Sequence, residues 1–212
     1  MITTVSASRR APRVVRGMLM TLLVAALAIG GLAVYRSASA ATPGSDLAPV
    51  PQHDAAVAAD GVVTAEDGLL PDGASAFDEN LPGVAGLAPA LREALQRASH
   101  DAAAADIEVQ VNSGWRSPEY QDLLLREAQT QYGSAEEAAR WVASAATSSH
   151  VSGDAVDVGS YDAVEWLAER GAAYGLCQMY ANEPWHFELR PQAIDQGCPP
   201  PYADPTQDPR MG

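Results

Sequence analysis

Nineteen consecutive residues, Gly17–Tyr35, carry no charge and are almost entirely apolar, and four arginines (Arg9, Arg10, Arg13 and Arg16) stand just before them. A helix of that length is about what a hydrocarbon core of ~30 Å requires, and a basic flank stays on the cytoplasmic side of a membrane. The order of the chain follows: a segment for export or anchoring first, a folded domain only after it. The residues leave two readings of that segment open. Uncleaved, it is a membrane anchor; alternatively, Ala38-Ser39-Ala40 is a small-x-small site at which a signal peptidase can cut, with Arg36 between the run and the site. Both put the remainder outside the cytoplasm.

The chain has 212 residues, enough for one ordinary domain plus extras. Its formal charge of −14 is unevenly spread, because the first forty residues hold five of the 13 basic residues and no acid. The remainder carries eight arginines against 27 acids, a net of −19. Such a surface repels phosphate backbones, so nucleic-acid binding is excluded as a function class. The two cysteines, Cys177 and Cys198, most simply form one disulfide in an exported chain, which would pin the end of the chain to the domain. Ligation of a metal by these thiols is the competing reading, but no second cysteine pair completes a zinc-finger spacing.

Residues 1–40 are thus the arginine-rich flank with a signal peptide or anchor. Residues 41–79, rich in Ala, Pro, Asp and Gly without an apolar period, read as a flexible spacer, with His53 as solvent-exposed filler. A domain is expected over 80–199, and a proline-rich irregular tail over 200–212. Within the domain, Leu91, Leu95 and Ala98 mark an amphipathic helix over 87–105, and Ile107, Val109 and Val111 alternate with polar residues as a strand does. Ser117-Pro118 opens a helix to about Tyr132, and Ser134 with Glu137 forms a capping-box start to another. A strand over 154–158, a helix over 163–174 and strands over 177–180 and 185–189 complete the pattern. The fold class is α+β: helices segregated to one side of a small, largely antiparallel sheet. No heptad or large apolar stripe points to an obligate protein partner.

Two short segments carry chemistry. In the first, Ser148 to Asp157, a histidine (His150) and a carboxylate seven positions on can converge because Gly153 permits a tight turn between them. Strand parity puts Asp157 on the face of Ala155 and Asp154 on the opposite face, so only one of the two acids can join His150. The second segment is Glu183-Pro184-Trp185-His186-Phe187-Glu188. Two histidines and an aspartate make a three-ligand zinc site with a fourth position open to water, the arrangement of catalytic zinc. Glu183 is placed to take that water's proton and pass it to a leaving amine, with Pro184 interrupting regular pairing beside it. Taken singly, His186 reads as a core histidine, Asp157 as a turn residue, and Trp185 and Phe187 as core packing.

Together, these segments resemble the VanY-type zinc D-alanyl-D-alanine carboxypeptidases, related to VanX dipeptidases and to bacteriophage wall endopeptidases. The family pattern S-x-H-x-x-G-x-A-x-D is filled by Ser148, His150, Gly153, Ala155 and Asp157, and E-x-W-H by Glu183, Trp185 and His186. A G-[YW]-R-S turn appears as Gly114-Trp115-Arg116-Ser117. The resemblance implies the Hedgehog/DD-peptidase fold, with Zn²⁺ held by His150, Asp157 and His186, Glu183 as general base and then acid, and Arg116 as electrophilic partner. Ser148, Gln121 and Trp185 are the implied substrate contacts. The implied substrate is the D-Ala-D-Ala end of a peptidoglycan stem peptide, met by an enzyme tethered to the membrane or secreted to the wall. An endopeptidase using the same zinc site, or a wall-binding module without turnover, are the alternative expectations.

Overall fold

The computed structural model describes residues 57–58 and 61–211, all of them in the unit Ala48–Gly212. The arginine-flanked run Gly17–Tyr35, the cleavage site near Ala40 and His53 lie outside the described residues. Among the described residues no helix is long and apolar enough to cross a membrane.

The chain opens with two short antiparallel strands, β1 (Val57–Ala58) and β2 (Gly61–Val62), followed by helices α1 (Pro82–Ala85) and α2 (Pro89–Ala103). Strand β3 (Gln110–Ser113) leads to helices α3 (Pro118–Tyr132) and α4 (Ala135–Ala139), then to strand β4 (Ala155–Gly159) and helix α5 (Tyr161–Arg170). Strands β5 (Leu176–Gln178) and β6 (His186–Leu189) and a short helix α6 (Ala193–Gln196) precede the C-terminal tail. Local signals act where the sequence places them. Ser117 caps α3 by accepting the Tyr120 N–H at 3.1 Å, with Pro118 in the first turn. Ser134 caps α4 in the same way, but Glu137 turns to Arg140 rather than back to the cap, so only half of the expected capping box forms.

The sheet has the order β3-β4-β6-β5 with every neighbouring pair antiparallel, an α+β arrangement as expected. Period two divides its faces. Val156, Val158 and Phe187 join Leu91, Leu95, Ala98, Val164 and Leu167 of α2 and α5 in the main core. Phe187 is fully buried, and burying such a side chain is worth about 1.5–3 kcal/mol. The opposite face carries Ala155, Asp157, His186 and Glu188, with Asp157 directly across from His186 and Ala155 from Glu188. One face of the sheet therefore holds the fold and the other holds the polar groups.

The helix expected over 163–174 is α5 followed by a 3-10 turn, Gly171–Tyr174, and the strand expected from Ile107 begins only at Gln110; the limits of the domain move as well. The last part of the expected spacer, residues 63–79, belongs to the domain: Val63 packs with Tyr120, Leu123 and Leu124, and Ala76 lies in the main core. Backbone bonds hold this segment, from Val111 N–H to the Ala74 carbonyl at 2.7 Å and from Ser117 N–H to the Asp67 carbonyl at 2.8 Å. At Gly68 (φ +97°) a Cβ would lie 2.0 Å from the Trp115 carbonyl oxygen, so glycine is what lets the segment close on the Gly114–Ser117 turn. The tail after Cys198 is likewise packed on the domain. Cys177 and Cys198 form a disulfide, Tyr202 exchanges backbone bonds with Met179 and Ala181, and two 3-10 turns, Pro205–Gln207 and Pro209–Met211, follow. Both segments lack periodicity because backbone hydrogen bonds and isolated side chains hold them, not an amphipathic face.

The disulfide closes a loop between residues 21 apart, which corresponds to about 3 kcal/mol in the chain-entropy treatment. The Cys177→Ala/Cys198→Ala protein is expected to have an unfolding free energy lower by about 3 kcal/mol, read as a lower midpoint in equilibrium urea titrations.

Candidate metal centre

Asp157 and His186 meet because β4 and β6 place them directly opposite each other, the closest relation an antiparallel pair offers. His150 arrives from the loop before β4. That loop is a tight turn, closed by Asp154 N–H on the Ser149 carbonyl (2.7 Å) and Gly153 N–H on the His150 carbonyl (3.1 Å). Gly153 has φ +78°, and a Cβ there would stand 2.3 Å from the Gly86 carbonyl oxygen. The loop is clamped to the start of α2 by the bond from Ala88 N–H to the Gly153 carbonyl at 2.8 Å. Ser148 Oγ accepts the His150 N–H at 3.2 Å.

The three side chains are all buried, and one ligand atom from each lies within 4.8 Å of the others. The atoms facing one another are His150 Nε2, His186 Nδ1 and Asp157 Oδ1: the rings approach to 3.3 Å, and His186 Nδ1 is 3.2 Å from Asp157 Oδ1. Partners on the far side of each ring set which nitrogen is the ligand. His150 Nδ1 is 2.8 Å from the Gly114 carbonyl, which can only accept, so Nδ1 carries the proton and Nε2 presents its lone pair. His186 Nε2 stands 3.3 Å from Glu188 Oε1, so the proton sits on Nε2 and Nδ1 faces the cluster. The second oxygen of Asp157 accepts from Arg116 at 2.7 Å.

The electrostatics fit a cation. Burial and the nearby Arg116 guanidinium lower the His150 pKa, favouring the neutral ring a metal needs. Burial alone would raise Asp157, but the His150 and His186 rings and Arg116 outweigh it and hold the carboxyl well below its usual range. For His186, burial opposes protonation, yet the Asp157 and Glu188 carboxylates on its two nitrogens overcome this and push the pKa up to about 10. A divalent cation would satisfy the same negative charge from the Nδ1 side. Glu183, at the rim of the cluster, has Oε2 3.9 Å from His186 Nδ1, while Oε1 is buried without a hydrogen-bond partner among the described residues. Burial pushes its pKa up to about 8. The turn Glu183–His186, closed by His186 N–H on the Glu183 carbonyl at 3.0 Å with Pro184 at its second position, swings this carboxylate beside the ring.

These groups line a cleft of about 510 Å³, together with Arg116, Gln121, Ser148 and Trp185. All the expected site residues therefore converge there. Arg116 is already engaged: Nε on Ser113 Oγ at 2.8 Å, one terminal nitrogen on Gln121 Oε1 at 3.1 Å, and the other on Asp157. Gln121 also donates to the Ala143 carbonyl at 2.8 Å, so it braces Arg116 from α3. Trp185 both lines the cleft and packs in the main core. Away from the metal cluster, Leu124, Ala128, Tyr132, Trp141 and Val142 give the cleft an apolar wall, with the Tyr132 and Trp141 rings stacked at 5.6 Å. Sequence reasoning missed Glu188, Tyr180 and Arg210. Glu188 was within reach of the parity argument, since it lies two residues beyond His186; nothing in the tail's sequence marks Arg210.

A family model described as VanY, D-alanyl-D-alanine carboxypeptidase, matches residues 85–192, half of the chain. The chain belongs to this family of peptide hydrolases. Solved structures similar to it include VanYB in complex with D-alanine-D-alanine (26% identity, 52% of this chain and 74% of that one, TM-score 0.48). A vancomycin-resistance D,D-pentapeptidase VanY variant from a VanB-type cassette, in complex with Zn(II), aligns at 26% identity over 49% of this chain and 72% of its own, TM-score 0.46. DacB from Streptococcus pneumoniae D39 is 24% identical over 64% of this chain and 79% of its own, TM-score 0.44. No curated protein matches the chain. The VanY match spans His150, Asp157, His186 and Glu183 and ends before the tail.

Because His186 must give up a proton from Nδ1 to bind a metal, and its pKa lies at about 10, the proton competes throughout the neutral range. The apparent affinity for Zn²⁺ should rise roughly tenfold per pH unit between pH 6 and 8, measured by competition with a chromophoric chelator; His186→Ala should abolish the binding.

Proposed function

We propose that this member of the carboxypeptidase family uses Zn²⁺ held by His150, Asp157 and His186 to remove the terminal D-alanine from peptidoglycan stem peptides. The observation that carries the reading is the matched pair of ring tautomers: Gly114 and Glu188 each hold a proton on the outer nitrogen, leaving Nε2 of one ring and Nδ1 of the other beside Asp157 Oδ1. Bound there, the ion supplies Lewis-acid polarisation of the scissile carbonyl and of the attacking water. Glu183 removes a proton from that water as its oxygen adds to the carbonyl carbon, then delivers the proton to the amine as the C–N bond breaks. Its unpartnered, desolvated Oε1 suits a group that accepts and returns a proton near neutral pH.

Arg116 acts in two directions. Its bond to Asp157 orients that carboxylate, and the N–H groups not taken by Ser113, Gln121 and Asp157 are available to a substrate carboxylate or carbonyl oxygen. Ser148 keeps its hydroxyl proton for a substrate acceptor, since Oγ only accepts from His150. The arginine-flanked segment at Gly17–Tyr35 supports placement outside the cytoplasm, anchored or released, where stem peptides are found.

The test is mass spectrometry of the Zn²⁺-loaded protein with a pentapeptide ending in D-Ala-D-Ala. Loss of one alanine, stopped by chelator, is expected; a larger fragment would identify an endopeptidase instead, and no cleavage with zinc bound would favour a wall-binding module. Glu183→Gln should retain zinc and lose turnover by about 10²–10⁴-fold, while His150→Ala should lose both. Undiminished turnover in Glu183→Gln would contradict the proton-transfer role.

A further inference from the structure

The tail beyond Cys198 lies outside the region that matches the family, yet it reaches the metal cluster. Glu188 is fully buried, a costly position for a carboxylate unless it is paired and hydrogen-bonded. Four groups surround it. Ser149 Oγ (2.9 Å) and His186 Nε2 (3.3 Å) approach Oε1, and Arg190 (2.6 Å) approaches Oε2. Arg210 spans the two oxygens, 2.7 Å to Oε2 and 3.2 Å to Oε1. It is thus the cation that reaches the oxygen serving His186.

Arg210 is itself held in place. Asp208 accepts from its Nε at 3.0 Å and from a terminal nitrogen, and also accepts from Tyr180 OH at 3.1 Å. The Tyr180 ring stands 5.1 Å from the His186 ring. The disulfide roots the tail at Cys177, which is the cross-strand partner of Glu188. Pro205 and Met211 of the tail line the cleft.

We propose that Arg210 is a positioning residue of the metal site: by fixing the Glu188 carboxylate, it holds the His186 ring in the orientation that turns Nδ1 toward Asp157 and His150. The inference rests on the metal reading of these ligands. Without Arg210, the remaining cation, Arg190, draws Glu188 by Oε2 alone, and Oε1 keeps only the neutral Ser149 hydroxyl to hold it at His186 against that pull. The tail is then a part of the active site that the matched family region does not contain.

The experiment is a Zn²⁺ competition titration on the full-length chain, wild type against Arg210→Ala, Arg210→Gln and Arg210→Lys, with circular dichroism melts and steady-state kinetics alongside. Arg210→Ala and Arg210→Gln are expected to stay folded, bind Zn²⁺ about ten- to hundredfold more weakly, and at saturating zinc lose kcat with KM little changed. Arg210→Lys, which keeps the charge but not the span of both oxygens, should recover part of the affinity. Wild-type affinity and kcat in a folded neutral variant would overturn the proposal, and loss of fold in all three would assign Arg210 to stability and overturn it equally. Failure of the wild-type chain to take up Zn²⁺ would instead contradict the metal reading beneath it.

Discussion

The cross-strand pair Asp157–His186 is the contact on which the rest depends. An antiparallel register puts the two residues directly opposite on one face of the sheet, while Val156 and Phe187, one residue along, face the core. A one-residue slip of β6 would turn His186 away from Asp157 into the hydrophobic core and put Phe187 on the cleft face. The hydrophobic core therefore enforces the geometry of the candidate metal cluster, and a stable fold and a formed site are the same register choice.

Around that pair, each further group supplies one constraint. The Gly153 turn delivers His150, the Gly114 carbonyl and Glu188 choose the ring nitrogens, and Arg116 takes the outer oxygen of Asp157. Buried charges close to one another are costly unless balanced. Here Asp157, Glu183 and Glu188 surround two histidines, with Arg116 on one side and Arg190 and Arg210 on the other. Those carboxylates are already matched by the three arginines, so charge balance alone does not call for a metal; the reason for reading the cluster as a candidate metal centre is that His150 Nε2, His186 Nδ1 and Asp157 Oδ1 converge on one point with their outer partners fixed.

Much of this was legible in the sequence. Alternation around Asp157 places it with Ala155 and against Asp154, and the Ser117-Pro118 and Gly133 signals bracket α3, expected to end at about Tyr132 and ending there. What was not legible depends on contacts distant in sequence. Residues 63–79 carry apolar side chains without a sustained period, so a pattern argument assigns them to the spacer; the Gly68 approach to Trp115 and the bond between Val111 and Ala74 hold them in the domain. The proline-rich tail hides Arg210 for the same reason, because its partner Glu188 is 22 residues away and shows its burial only when the sheet is formed. Arg116 was expected to face substrate, and the structure adds that three of its N–H groups already serve the protein.

The position of the metal itself decides most directly, by anomalous diffraction at the zinc edge from crystals of the Zn²⁺-loaded protein. A single strong peak is expected at about 2.0–2.2 Å from His150 Nε2, His186 Nδ1 and one Asp157 oxygen, with His186 Nε2 still on Glu188. A peak bonded to His186 through Nε2, or one placed away from Asp157, would contradict that ligand set.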